Sequence, residues 1–598
     1  MLPVHSDGSP ARSTFSRLTT LKSDSWLGRR PVLRWVALGS IVLVTFVFFV
    51  HPFSVPSFRR PSVSGGDLVV DDPPIPHGQT SHESATKATP VEKPPAHNRP
   101  LKGSSTWDPR KEEVRQTFLY AWKAYMDKAF PNDEVLPLSG RNTNKFNGWA
   151  VTLVDSLDTM WLMGLKDEFK AAVNSIKRQE FLTSSSGYAP FFETIIRYLG
   201  GYLSAYALSG DKVLLSLADD LGERLLPAFN TDPIGWPAFS VRPGDGSINK
   251  GGSMLLAEMA SCQVEYKYLS KATGRPEYYE KVENVMQHLY DADNYHGLLA
   301  ERWYLNGKPT NNHYTAGAGV DSAYEYFLKQ YLQSGDQKAK KQYLKSIDGI
   351  INKLLFLTPT RQLLFVTDIT GSSESPANQM EHLSCYLPGV IALGAHSLDL
   401  PAAVKQKHKW AAEGLAYTCW VMYADQKSHL GPDNARMVNA GKWVDALKKW
   451  EHEGKPKGKP PGVRLPPPEP EAHKRDYTSS WSGQYLMRPE TVESLYIMWK
   501  TTGDEIWRDR GYAIYQAIEK HTKAPYGYAS VSNIDSDSPN KIDEMPSFFL
   551  AETLKYLYLL FDNDDPISLD KWVFNTEAHP LPIFSWSADE RAALNITS

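Results

Sequence analysis

From "STWDPRKEEVRQTFLYAWKAYMDKAF" to about residue 562, apolar positions recur at helical spacing and strand-like alternation is rare. In "MRPETVESLYIMWKTTGD", Val492, Leu495, Tyr496 and Trp499 fall at i, i+3, i+4 and i+7, and Pro489 suits a first helical position. Comparable stretches begin at Glu193 ("ETIIRYLGGYLSAYALSGD"), Glu258 ("EMASCQVEYKYLSKATGRPEYY"), Asp321 ("DSAYEYFLKQYLQSGD") and Glu552 ("ETLKYLYLLFDND"). "DSLDTMWLMGLKDEF", from Asp155, is a looser member. Each reads as an acid, a helix apolar nearly all round, and a small or charged turn. Amphipathic helices such as "DKVLLSLADDLGERLLPAF" and "EIWRDRGYAIYQAIEKHT" lie between them. This alternation predicts an all-α fold in which helical hairpins close into an (α/α) barrel, apolar helices inside and amphipathic ones outside. Strand patterns are few and short; "GLLAERWYL" and "QLLFVTDIT" are expected to form small hairpins at one end.

A single acid in a first helical turn offsets the positive end of the helix dipole. Five or six at the same position of successive inner helices are harder to explain that way, because a ring brings those helix starts to one end. Such a cluster repels itself unless it binds a cation, shares protons or works on a substrate. Paired carboxylates suit glycoside hydrolysis, one protonating the leaving oxygen while the other activates water or attacks. An oxygen-rich site also suits Ca²⁺, which takes about 6–8 oxygen ligands.

The flanks have a different character. An apolar run at residues 31–50, preceded by Arg29 and Arg30, approaches the ~20 residues that span a bilayer. It reads as a signal anchor, with residues 1–30 a cytoplasmic tail by the positive-inside bias. A cleaved signal peptide is the rival, but the run is long, lies far from Met1 and lacks a clean small-x-small site. Residues 51–105, rich in Pro, Ser, Thr, His and Gly, read as a flexible lumenal stem. The barrel is placed at 106–585, with a Pro-rich surface loop at 454–474 and a C-terminal tail at 586–598.

Composition excludes more than it assigns. The 65 basic and 68 acidic residues leave a net charge of -3, which gives no argument for nucleic-acid binding. No Walker loop, GxGxxG after a strand, HExxH or GxSxG is present, so neither a nucleotide cofactor nor those hydrolytic chemistries are indicated. Three cysteines allow one internal pair; Cys262 sits inside a helical run, which favours Cys385 with Cys419, though spacing does not settle the pairing. His382 and His579 stand in unusual settings, open between lining a pocket and a structural role.

The segments "GWAVTLVDSLDTMWLMGL", "FFETIIRYLGGYLSAY", "DSAYEYFLKQY", "MEHLSCYLPG", "YLMRPETVESLY", "SFFLAETLKYLYLLF" and "VFNTEAHPLP" together closely resemble the class I α-1,2-mannosidases (glycoside hydrolase family 47), which trim high-mannose N-glycans. The likeness runs from about Trp107 to Pro582, and the tail, anchor and stem resemble the type II topology common in that family. It implies an (α/α)7 barrel, inverting hydrolysis and a Ca²⁺ at the base of the pocket. By motif, Glu193 matches the proposed general acid, Glu490 the general base and Asp321 the third essential acid, with the acid's identity open between Glu193 and Asp321. Thr576 matches the residue that holds Ca²⁺ through its carbonyl and hydroxyl oxygens. Glu258, Glu493, Glu552 and Glu577 match acids that orient metal-bound waters or sugar hydroxyls, while Arg197, Arg488, His382 and Phe548 match other pocket residues. Cys385 and Cys419 match the family's disulfide. Inversion needs room for a water, so the working carboxyls are expected about 6.5–9.5 Å apart.

One departure stands out. Enzymes of the family that remove a single specific mannose often carry an Arg two residues before the matched Asp; here that residue is Gly319. This weighs against single-mannose specificity, although other motifs look more like the endoplasmic-reticulum subgroup. The expectation is therefore a membrane-anchored enzyme of the endoplasmic reticulum or early Golgi acting on glycoprotein glycans. A weakly catalytic glycan-binding factor in glycoprotein degradation is the alternative, and an anchored glycosyltransferase is disfavoured by the helical repeat.

Overall fold

The computed structural model describes residues 106–183, 187–371, 373–463, 472–479 and 483–596. The expected tail, anchor and stem lie outside these residues, as does part of the Pro-rich loop. Among the described residues, no helix is long and apolar enough to cross a membrane.

Among the described residues, fourteen helices form the barrel as seven pairs. The outer set is α1 (Trp107–Lys128), α3 (Lys166–Ile176), α5 (Lys212–Leu225), α7 (Pro276–Tyr290), α9 (Gln337–Lys353), α11 (Ala402–Ala424) and α13 (Ile506–Thr522). The inner set is α2 (Leu157–Leu162), α4 (Gly200–Ser209), α6 (Gln263–Thr273), α8 (Asp321–Ser334), α10 (Leu387–Ser397), α12 (Glu490–Thr502) and α14 (Leu554–Phe561). Successive inner helices from α2 to α14 pack side by side, the segment Phe549–Thr553 ahead of α14 packs back on α2, and α14 packs against α1, the first outer helix.

Burial follows the two patterns read from the chain. In α12 every residue from Ser494 to Trp499 is buried, as expected of a helix enclosed on all sides. In α5 only one stripe is covered, at Leu214, Leu217, Ala218, Leu221 and Leu225. The turns between inner and outer helices reuse one device. Gly210 ends α4 at φ +76°, and Asp211 then caps α5 by accepting from the Val213 N–H at 2.9 Å. Gly335 and Asp336 repeat it between α8 and α9.

Three features depart from the sequence reading. Strands are not few: among the described residues twenty-two short ones, each of two to four residues, form nine small antiparallel sheets. Segments this short carry too little alternation to be read from sequence. Within "QLLFVTDIT", Leu364–Val366 pairs with Leu355–Leu357 as a hairpin; within "GLLAERWYL", Trp303 bridges Pro309 across a local turn, and Arg302–Trp303 also pairs with the distant Met254–Leu255. Asp155 does not open a helix but closes the short helix Val151–Asp155, after which the chain breaks at Ser156 and restarts as α2. The stretch from Glu258 is likewise split into Leu256–Met259 and α6.

The Pro-rich loop is tied down at its start, where Trp450 Nε1 donates to the Pro456 carbonyl and Trp443 Nε1 to the Pro461 carbonyl, both at 2.9 Å. Within the C-terminal segment, Ala588–Ala593 is helical, and Glu590 pairs with Lys271 of α6 at 2.7 Å.

Candidate active site

Consecutive helical hairpins run their inner helices in one direction, so the inner starts gather at one end of the barrel. Asp321 and Glu490 are the first residues of α8 and α12. Glu193 closes a short helical turn that continues as a π-helical segment, Thr194–Leu199, before α4. Glu552 lies in a second π-helical segment, Phe549–Thr553, ahead of α14. An extra residue per turn rotates the side chains that follow, and such bulges are common at functional sites.

Three groups of charged side chains result. In the first, buried Arg197 joins Glu193 (Nε to Oε2, 2.9 Å), Glu577, and Asp155 at 3.8 Å. Burial opposes the guanidinium charge, but Glu577, Glu193, Asp155 and Glu552 outweigh it and hold its pKa above the ordinary value.

In the second, Glu490 Oε2 accepts from His382 Nδ1 at 2.7 Å, while His382 Nε2 faces the Tyr423 hydroxyl at 2.6 Å and Thr491 Oγ1 at 3.2 Å. The buried imidazole is thereby fixed in orientation, and with it the carboxylate. Beside this group Arg488 pairs with Asp433 at 2.7 Å and stands 5.8 Å from the Phe548 ring centre.

In the third, Asp321, Glu325 and Lys329 descend one face of α8 at successive i, i+4 steps, and Glu325 is ion-paired with Lys329. Burial pushes Asp321 up to about 8, helped by Glu325, Glu490 and Glu381, against one backbone N–H from Ser322. Burial and Glu325 likewise push Glu493 up to about 8, although Lys329 and the Tyr556 hydroxyl oppose them. Burial, with Glu577 and Glu490, also holds Glu552 above the carboxylate range, and burial, with Asp155 and Glu193, does the same at Glu577; Arg197 opposes the shift at both. Glu258 is raised by burial, while its Oε2 accepts from the Leu255 N–H at 2.9 Å.

Thr576 sits in a turn held by buried polar groups. The Asn575 side-chain oxygen accepts from the N–H of Glu577 (2.9 Å) and of His579 (2.8 Å). Lys329 Nζ donates to the Asn575 carbonyl at 3.2 Å, Lys555 Nζ to the Ala578 carbonyl at 2.7 Å, and the Thr576 N–H to the Tyr326 hydroxyl at 3.2 Å. His579 has the structural role: fully buried, it bridges Asp158 (2.8 Å) and Asp155 (3.1 Å). Burial lowers its pKa, but these two carboxylates dominate and lift it to about 9.

Among the described residues, no three His, Cys, Asp or Glu side chains converge as direct metal ligands. Thr576 offers carbonyl and hydroxyl oxygens, and the carboxyl of the adjoining Glu577 is raised by burial and by the fields of Asp155 and Glu193. A hard divalent cation suits both features.

Cys385 and Cys419 form the disulfide, with Cα atoms 6.0 Å apart, and Cys262 is a buried free thiol. Sequence reading missed Glu325, Lys329, Tyr423 and Asn575. The first two had a legible signal, four-residue steps from Asp321, and Asn575 directly precedes Thr576 in "VFNTEAHPLP"; Tyr423 is brought in from a distant segment.

A helical barrel with a carboxylate-rich end is the architecture of a glycoside-processing enzyme, and the comparisons with known proteins define which. The family model for glycosyl hydrolase family 47 matches residues 117–583, and the chain belongs to that family. It is 37% identical over 487 residues to the endoplasmic reticulum mannosyl-oligosaccharide 1,2-alpha-mannosidase of Rattus norvegicus, covering 80% of this chain and 68% of that protein. It is 36% identical over 512 residues to the mannosyl-oligosaccharide 1,2-alpha-mannosidase MNS1 of Arabidopsis thaliana, covering 81% and 82%. Its fold matches the alpha-1,2-mannosidase from Trichoderma reesei with a TM-score of 0.70 at 28% identity, over 80% of this chain and 99% of that one.

Proposed function

We propose that this glycosidase is a Ca²⁺-dependent, inverting hydrolase that removes terminal α-1,2-linked mannose from high-mannose N-glycans on glycoproteins. The observation that carries the reading is the meeting of the Glu490–His382 pair, Asp321 and the Glu193–Arg197–Glu577 group at one end of a family 47 barrel. Glu490, oriented by His382, takes a proton from the attacking water as its oxygen bonds to the anomeric carbon from the face opposite the leaving group. The glycosidic C–O bond breaks, and the leaving oxygen receives a proton from a neutral carboxyl. Asp321 suits that role best: at about 8 its carboxyl is protonated at neutral pH, whereas Glu193 is ion-paired with Arg197. Arg488, Phe548, Glu258, Glu493 and Glu552 hold and orient the sugar.

Thr576, through its carbonyl and hydroxyl oxygens, would hold Ca²⁺, with Glu493, Glu552 and Glu577 supplying the surrounding negative charge. Bound there, the ion supplies positive charge that offsets the carboxylates and attracts sugar hydroxyls.

The apolar run at 31–50 and the endoplasmic-reticulum relatives support a single-pass enzyme with its barrel in the lumen of the endoplasmic reticulum or early Golgi. The test is a time course of the purified protein on a nine-mannose glycan with Ca²⁺, resolving product isomers. Release of mannose that stops on chelation is expected. Glycan binding without mannose release overturns the reading in favour of a non-catalytic glycan-binding factor.

A further inference from the structure

Glu301 stands apart from the acids above but belongs to the same end of the barrel. Its carbonyl accepts from the Leu256 N–H at 2.9 Å, at the start of the turn that carries Glu258. Its own N–H donates to the His313 carbonyl at 3.0 Å. The side chain is 24% exposed. Both of its side-chain hydrogen bonds fall on one oxygen: Oε2 accepts from Asn311 Nδ2 at 3.2 Å and from His313 Nδ1 at 3.1 Å. The His313 ring is braced from its other side by Asp368, with Nε2 3.4 Å from Oδ2.

The other oxygen lies against Gly319. A β-carbon at 319 would fall 2.6 Å from Glu301 Cγ and 2.8 Å from Oε1, closer than real β-carbons come to such atoms. The Gly319 backbone is not in the left-handed region, so glycine is required for room and not for its dihedral freedom. Its carbonyl accepts from the Ala257 N–H at 3.1 Å, and Asp321 follows two residues later. The carboxylate of Glu301 thus fills the volume that a side chain at 319 would occupy, beside a residue of the reacting centre. One oxygen is locked by two hydrogen bonds and the other faces Gly319, two residues before Asp321. That is a suitable acceptor for a sugar hydroxyl, which offers a neutral O–H donor.

We propose that Glu301 is a specificity-determining residue: it shapes the wall next to Asp321 and accepts a hydrogen bond from a hydroxyl of the sugar unit adjoining the one cleaved. The proposal rests on the mannosidase reading above and extends it to the choice among glycan branches. His313 and Asn311 are positioning residues that act through Glu301.

The experiment uses the full chain on a nine-mannose glycan, comparing Glu301→Gln, Glu301→Ala, Gly319→Ala and the Glu301→Ala/Gly319→Ala double variant. Loss of a charge-assisted hydrogen bond predicts that Glu301→Ala shifts the ratio of first-formed product isomers by about fivefold or more, with Glu301→Gln in between. Thermal midpoints report folding separately. Gly319→Ala should lower the midpoint in the wild-type background and be tolerated beside Glu301→Ala, because the collision is with Glu301. An unchanged isomer ratio in a folded, active Glu301→Ala overturns the proposal alone. No mannose release from the wild type overturns the functional reading and this proposal with it, while the 301–319 coupling in the midpoints still reports the contact.

Discussion

The Glu490 carboxylate and the His382 imidazole share a 2.7 Å hydrogen bond, and the far nitrogen of the ring lies 2.6 Å from the Tyr423 hydroxyl. The Glu490 carboxylate is therefore aimed by two buried side chains, His382 and Tyr423, from two other segments. Glu490→Gln should lower kcat by about 10²–10⁴-fold with little change in thermal midpoint, because a general base acts in the transition state. His382→Ala removes a hydrogen bond to a charged group, worth about 1.5–3 kcal/mol, and should lower kcat roughly 10–100-fold. Steady-state kinetics with a melting curve for each variant checks this. Full activity in Glu490→Gln would assign the base elsewhere.

Much of this was legible in the chain. The stripe Val492, Leu495, Tyr496, Trp499 and the acid-first repeats gave the inner helices and their common end, because a 3.6-residue period survives in any helix enclosed by others. The sequence favoured Cys385 with Cys419, which the structure joins, but left open the state of Cys262, a buried free thiol. What was not legible depends on chain crossings or on backbone irregularity. Tyr423 lies 41 residues from His382 and nothing local couples them. The π-helical segments at 194–199 and 549–553 look like ordinary helix in sequence. The two-residue strands at the rim are set by pairings such as Arg302–Trp303 with Met254–Leu255, which no local pattern encodes.

Asp321 gives a pH prediction with a definite sign. Its folded-state pKa of about 8 lies above the carboxylate value of 3.8, so the native state holds a proton that the unfolded state has lost. Stability should fall as pH rises from the unfolded value through about 8. Asp321→Asn should therefore melt at the same temperature as wild type near pH 3.5 and higher than wild type at pH 8.5, measured in chelator. If Asp321 is the proton donor, wild-type kcat/KM should decline above pH of about 8. Equal melting of the two proteins at the higher pH would contradict the buried, proton-holding environment.

Cation binding at Thr576 should appear as stability before it is sought as activity. A ligand bound only by the native state stabilises by about 2.7 kcal/mol at a hundredfold excess over its Kd. Ca²⁺ should raise the thermal midpoint of chelator-treated protein, and Thr576→Ala should reduce or abolish that rise. The turn itself is held by Asn575, Lys329 and Lys555, so the variant should remain folded without Ca²⁺. A Ca²⁺ response undiminished in Thr576→Ala would place the ion elsewhere.

The Cys385–Cys419 bridge ties the segment that follows His382 to α11, the helix that carries Tyr423. It thus braces both residues that aim Glu490. The sequence separation is 34 residues, and closing a loop of that length in the unfolded chain corresponds to about 3–4 kcal/mol. Cys385→Ala/Cys419→Ala should lower stability by about that amount in denaturant titrations. Because the two ends also hold His382 and Tyr423 behind Glu490, kcat should fall even at temperatures where the variant is fully folded. KM should change less, since Arg488 and Phe548 lie outside the braced segment. A stability loss with kcat unchanged would show that packing around Ser494, whose hydroxyl donates to the Cys385 carbonyl at 2.5 Å, holds His382 in place without the bridge.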